Sequence, residues 1–124
     1  MAHEEFEIYQ EIYTLNAYGL SGYFDENIEI NSYYGKEKFV KGAKDAIVFF
    51  EEFFINYKSN TDKVLIFCRF MNKYGCTPML DEGFQKFCAS HEFFIYMKDG
   101  KIIKIDIFTS IDHDMRFYDA RSCL

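Results

Sequence analysis

The sequence predicts a single α+β domain, with helices in its first half and a mixed or antiparallel sheet built mainly from its second. Three observations lead there. Apolar residues recur at helical spacing in two long stretches of the first half. Further along, the spacing changes to strand-like runs. Between the last two of these runs stands "KDG", a strong hairpin signal. The 124 residues suit one domain, spanning 1–124, and no stretch reads as a linker or a repeat.

Taken in order, the first helix is expected from Glu4 to Tyr18. Phe6, Tyr9 and Tyr13 recur one turn apart, and Ile8, Ile12 and Leu15 widen the stripe. Glu4 and Glu5 suit the positive end of a helix, and Gly19 is its expected stop. "IEINSYY" follows as a half-buried strand, with Ile28 and Ile30 alternating against Glu29 and Asn31. A second long helix is expected from Gly42, as N-cap, to Tyr57. Ala46, Phe49, Phe50, Phe53, Phe54 and Tyr57 form its apolar face, while Glu51 and Glu52 point away. Three strands are then expected near Lys63–Lys73, Phe84–Met97 and Ile102–Asp112, with "YGCTPMLDEG" separating the first two.

The register of the last hairpin decides which residues share a face. With Lys98, Asp99 and Gly100 as a three-residue turn, Phe93 faces Ile105, Ile95 faces Ile103 and His91 faces Ile107. Ala89 then meets Thr109, and Phe87 meets Ile111. One surface becomes almost wholly apolar, with His91 as its main polar member, and Glu92 falls opposite Asp106 on the other. A two-residue turn slips the register by one and sets Phe93 against Asp106, mixing the faces, so the longer turn is preferred. The Lys63–Lys73 strand is apolar on both sides: Val64, Ile66, Cys68 and Phe70 against Leu65, Phe67, Arg69 and Met71. Such a strand is covered on both faces. Helices can cover one, and a second subunit packed on the outer sheet face is the expected cover for the other, with Arg69 paired to an acid of that subunit.

Composition bounds the partners. The net charge is −6, and the lysines of "GKEKFVKGAKD" alternate with Glu37 and Asp45, so no basic face is set up for nucleic acid or an anionic membrane. No apolar run approaches the ~20 residues of a membrane span. The opening "MAHEEFEIY" lacks the basic and apolar regions of a signal peptide, which points to the cytoplasm. Reduced thiols are expected there at Cys68, Cys76, Cys88 and Cys123, and no C-x-x-C pair suggests zinc. The "DHD" of Asp112–Asp114 alternates across a strand and chelates one ion poorly. Neither a metal nor a cofactor is expected.

"GYFDENIEI", "VKGAKDAIVFFEEFF" and "FFIYMKDGKIIKIDIF" resemble, in that order, three segments of the nuclear transport factor 2-like superfamily and its SnoaL-like group. The resemblance implies a cone-shaped α+β fold, in which a strongly curved sheet wraps around the N-terminal helices and leaves a cavity. It also implies an apolar small molecule bound among Phe49, Phe53, Phe93, Asn31 and Cys68. Members include isomerases, dehydratases, an epoxide hydrolase and cyclases, and others only bind ligands or proteins; no catalytic motif of theirs carries over residue by residue.

Two functional readings follow. In the first, His91 is a general base in an apolar pocket, with Tyr9 or Tyr13 donating a hydrogen bond to a substrate carbonyl or enolate. The structural alternative is a core histidine with a satisfied hydrogen bond and two core tyrosines. In the second, the domain is a non-catalytic module that binds a ligand or a protein. A cavity filled by phenylalanine side chains, beside an exposed apolar patch, favours the second.

Overall fold

The computed structural model describes residues 3–33, 38–60, 64–72, 75–78 and 90–109. Among these residues three helices, α1 (His3–Tyr13), α2 (Ala17–Ser21) and α3 (Ala43–Asn60), pack against six strands. The strands are β1 (Phe24–Ser32), β2 (Lys38–Lys41), β3 (Ile66–Asn72), β4 (Gly75–Pro78), β5 (His91–Lys98) and β6 (Lys101–Thr109). They form one curled, open sheet in the order β2-β1-β6-β5-β3-β4. The β1–β6 and β3–β5 pairs are parallel, and the others antiparallel.

The long first helix of the sequence reading is two helices. Leu15 adopts φ 55°, the left-handed region. Asn16 N donates to Glu11 O at 2.8 Å and Leu15 N to Ile12 O at 3.0 Å, the paired bonds of a Schellman stop. Asn16 then caps α2, its side chain accepting from Gly19 N at 3.0 Å. Gly19 therefore lies inside α2 rather than ending a helix. A Cβ there would collide with the Glu11 carboxylate and the Asn16 amide.

The long α3 buries Ala46, Phe49, Phe50, Phe53, Phe54 and Tyr57, the six residues its spacing selects. Gly42, at φ 97°, accepts the first helical bond from Ala46 N. This face meets Ile28 and Ile30 of β1, Cys68 and Phe70 of β3, Phe93 and Ile95 of β5, and Ile105 and Ile107 of β6 in one core. Two strands escaped the sequence reading. In β2 only Val40 is buried between exposed residues, and β4 lies within the segment expected to be a connection.

The hairpin turn is the two-residue one. Asp99 and Gly100 take φ 52° and 78°, both positive as a type I′ turn requires. Lys98 pairs with Lys101 and Met97 with Ile102, but Tyr96 pairs with Lys104, so Ile103 is an extra residue, a bulge. The bulge returns the strand to the expected side. Phe93 faces Ile107, Ile95 faces Ile105 and His91 faces Thr109. The apolar face is as expected at His91, Phe93, Ile95, Ile105 and Ile107, but Ile102 rather than Ile103 is its buried residue beside the turn, and each expected partner is two residues off. Thr109 is taken by His91 and not by Ala89, and the expected Phe87–Ile111 pair falls outside the described residues.

The second face of the sheet differs from expectation. Glu92 lies opposite Phe108 rather than Asp106, and it is fully buried. Arg69 Nε reaches its Oε2 at 3.3 Å, both side chains being 0% exposed. The Arg69 guanidinium also lies 4.5 Å from the centre of the Phe67 ring. Phe67, Arg69 and Glu92 are therefore covered within one chain, and their burial does not call for a second subunit. Further along this face Asn31 Nδ2 donates to Asp106 Oδ1 at 2.9 Å, and Phe108 stacks on Tyr33. No helix among the described residues is long and apolar enough to cross a membrane.

Candidate functional site

His91 opens β5 on the core face, between Ile66 of β3 and Thr109 of β6. Its Nδ1 lies 3.0 Å from Ser90 Oγ. That oxygen is 2.9 Å from the Tyr57 hydroxyl and donates to Leu65 O at 3.1 Å. Leu65 N in turn donates to the Tyr57 hydroxyl at 2.7 Å. If Tyr57 donates to Ser90 and Ser90 to Leu65, Ser90 still has a lone pair for an Nδ1–H of His91. The group ties the end of α3 to the starts of β3 and β5. The rings of Phe53 and Tyr57 pack on the imidazole with centroids 5.2 and 5.5 Å away. Burial lowers the His91 pKa to about 4, so the ring is neutral at pH 7.

Of the residues expected to line a cavity, Phe49, Phe53 and Phe93 pack in ring contact with one another or with their neighbours. Phe49, Phe50, Phe53, Phe54 and Phe93 form a connected set of ring contacts, with centroids 5.1 to 6.3 Å apart. Cys68 is buried, and burial pushes its thiol pKa upward, which makes it a poor nucleophile. Asn31 is on the outer face with Asp106, away from this cluster. Tyr9 is buried in the core. Tyr13, one turn on with its ring 5.9 Å away, is half exposed.

The side chain of Tyr13 leads to an open groove of about 650 Å³ between the α1–α2 corner and α3. Phe54 and Ala17 form its buried base, with Leu15 and Val64 partly covered beside them. Tyr13, Tyr18 and Ile55 stand at 50%, 83% and 69% exposure, which is much for such large apolar groups. Glu51 and Lys58 also line the groove. Seven residues apart on α3, they lie one toward each end, roughly 10 Å apart along the axis. Leu15 occupies a backbone conformation that disfavours any residue with a side chain, at a cost of about 1–2 kcal/mol, and its side chain is one of those facing the groove.

Of the expected site residues, the groove holds only Tyr13; His91, Tyr9, Phe49, Phe53, Phe93, Asn31 and Cys68 do not line it. The sequence did hold a signal for it. Ile55 falls on the polar side of α3, beside Asn56 and between Glu51 and Lys58, where a core helix has no use for it. Among the described residues no three His, Cys, Asp or Glu side chains gather as a metal site requires. The side chains of Asn72 and Cys76, and the whole of Met79, Leu80, Cys88, the Asp112–Asp114 segment and Cys123, lie outside the described residues.

No protein-family model matches the chain, and no curated protein matches it. Among solved structures, the crystal structure of an NTF2-like protein of unknown function from Cytophaga hutchinsonii is similar to it. The similarity covers 86% of this chain and 87% of that one, at 14% identity and a TM-score of 0.46. The α+β class rests on the strand order and register given above.

Proposed function

We propose that this domain is a non-catalytic interaction module, and that its recognition surface is the groove between the α1–α2 corner and α3. One observation carries the reading: among the described residues, phenylalanine rings of α3 pack on one another and on Phe93, while large apolar side chains stand in solvent at Tyr13, Tyr18 and Ile55. Small-molecule sites enclose most of their ligand, whereas tyrosine-rich open surfaces are typical of protein contacts. The SnoaL-like chemistry suggested by the sequence needs free space in front of His91, and Phe53 and Tyr57 pack against that ring. The geometry therefore supports the binding role better than the catalytic one.

The test is a titration with anilinonaphthalenesulfonate, a dye that brightens on apolar surface, at low protein concentration. The wild-type chain should enhance its fluorescence. Ile55→Asp and Tyr18→Ser should weaken the effect. Phe39→Ser, which removes an exposed ring on β2 outside the groove, should not. No enhancement with the wild type, or equal loss with Phe39→Ser, would remove the groove as the recognition surface.

A further inference from the structure

We infer that the occupant of the groove is a second copy of this chain, packed with its α3 antiparallel to the first. This rests on the groove being the recognition surface, and it names the partner. The exposed face of α3 is self-complementary. Glu51 and Lys58 line the groove with Phe54 and Ile55 midway between them. A twofold axis at that midpoint sets Glu51 of each copy beside Lys58 of the other and brings the two Ile55 side chains together. An antiparallel register centred near Val48 would instead set Glu51 beside Lys44, also exposed, but Lys44 does not line the groove and Lys58 does. A parallel pairing in register sets Glu51 against Glu51 and Lys58 against Lys58.

The apolar content agrees with the charge pattern. Ile55 has the exposure of a residue awaiting a cover. Val48, one heptad earlier on the same helix, is also half exposed and extends the seam. Tyr13 and Tyr18, on the neighbouring wall, give flat amphipathic contact to a helix laid in the groove. The contact is short. It falls toward the lower end of specific interfaces, near ~1,200 Å² in total, so the association depends on concentration. It also leaves the outer sheet face unused, in contrast to the sheet-face dimer that the two-sided β3 strand suggested.

Charge exchange tests this directly, because every position involved is exposed. Sedimentation equilibrium should show wild-type monomers and dimers in a concentration-dependent balance. Glu51→Lys alone puts two like-charged pairs across the axis and should weaken self-association about tenfold or more. Lys58→Glu alone should do the same. Mixing the two single variants pairs every changed side chain with its opposite, so heterodimers should form at wild-type strength. The double variant, with the wild-type net charge, should also recover. A wild type that stays monomeric throughout would overturn the inference, and so would a dimer indifferent to both single variants. If the wild type is monomeric while the dye signal still falls with Ile55→Asp, the groove remains the recognition surface and only its occupant is wrong.

Discussion

Replacing Glu92 with Leu should cost about 3–5 kcal/mol of folding stability, a large share of the roughly 5–15 kcal/mol a typical domain has in total. The magnitude follows from burial. Arg69 and Glu92 are both 0% exposed, and Nε and Oε2 are 3.3 Å apart. At an effective dielectric of ~20 their attraction is about 5 kcal/mol, set against desolvation of several kcal/mol for each ion. The intact pair is therefore close to neutral. Without Glu92 the Arg69 guanidinium keeps its desolvation cost and loses the Oε2 contact, while the Phe67 ring beside it contributes about 0.5–2 kcal/mol. Arg69→Met alone should be similarly costly, for the mirror reason. The double variant Arg69→Met/Glu92→Leu removes both charges and should lie within about 1–2 kcal/mol of the wild type. Urea unfolding followed by far-UV circular dichroism gives all four free energies. If Glu92→Leu alone costs less than about 1 kcal/mol, or if the double variant costs the sum of the singles, the buried-pair reasoning fails.

Three further outcomes are expected. His91 has a folded pKa of about 4 against an ordinary 6.5, so the unfolded chain takes up its proton first. Its contribution is fully present above pH 6.5 and is lost as the pH falls through 4. The shift corresponds to about 3 kcal/mol, reduced to about 1–2 kcal/mol by the ring's remaining contact with solvent; His91→Gln should flatten the stability profile in that window, measured by urea unfolding at several pH values. Tyr57→Phe takes the acceptor from Leu65 N and a partner from Ser90, and should cost about 1–3 kcal/mol in chemical denaturation. Gly100→Ala places a side chain at φ 78° in the type I′ turn and should cost about 1 kcal/mol, whereas Asp99→Asn should be close to neutral because asparagine suits the same position.

What the sequence revealed followed from periodicity. Six apolar residues at helical spacing identified the buried face of α3 in full, because a helix facing a core has little freedom about which side is apolar. The hairpin shows where that logic stops. Separation of polar from apolar residues fixed which side His91, Phe93 and Ile95 occupy, but a longer turn and a short turn with a bulge at Ile103 satisfy it equally. The stop after Tyr13 was hidden because a leucine takes the left-handed position where glycine is the usual marker. Glu92 looked like a solvent-facing acid because its partner, Arg69, lies 23 residues earlier. The groove was the least visible feature. It is a property of three elements brought together, and among the described residues much of the aromatic richness that suggested a cavity goes into ring contacts along α3.

The position of β6 has a consequence for the order of synthesis. It lies between β1 and β5, and among the described residues β2–β1 on one side and β5–β3–β4 on the other have no strand contact except through it. A nascent chain that has not yet emitted residues 101–109 holds two sheet fragments with raw edges facing each other. The helices can dock on either fragment, but the domain closes only when β6 threads between them. Its folding is then governed by release of that segment from the ribosome, and a chain stopped before residue 101 should be an aggregation-prone pair of half-sheets rather than a smaller version of the fold.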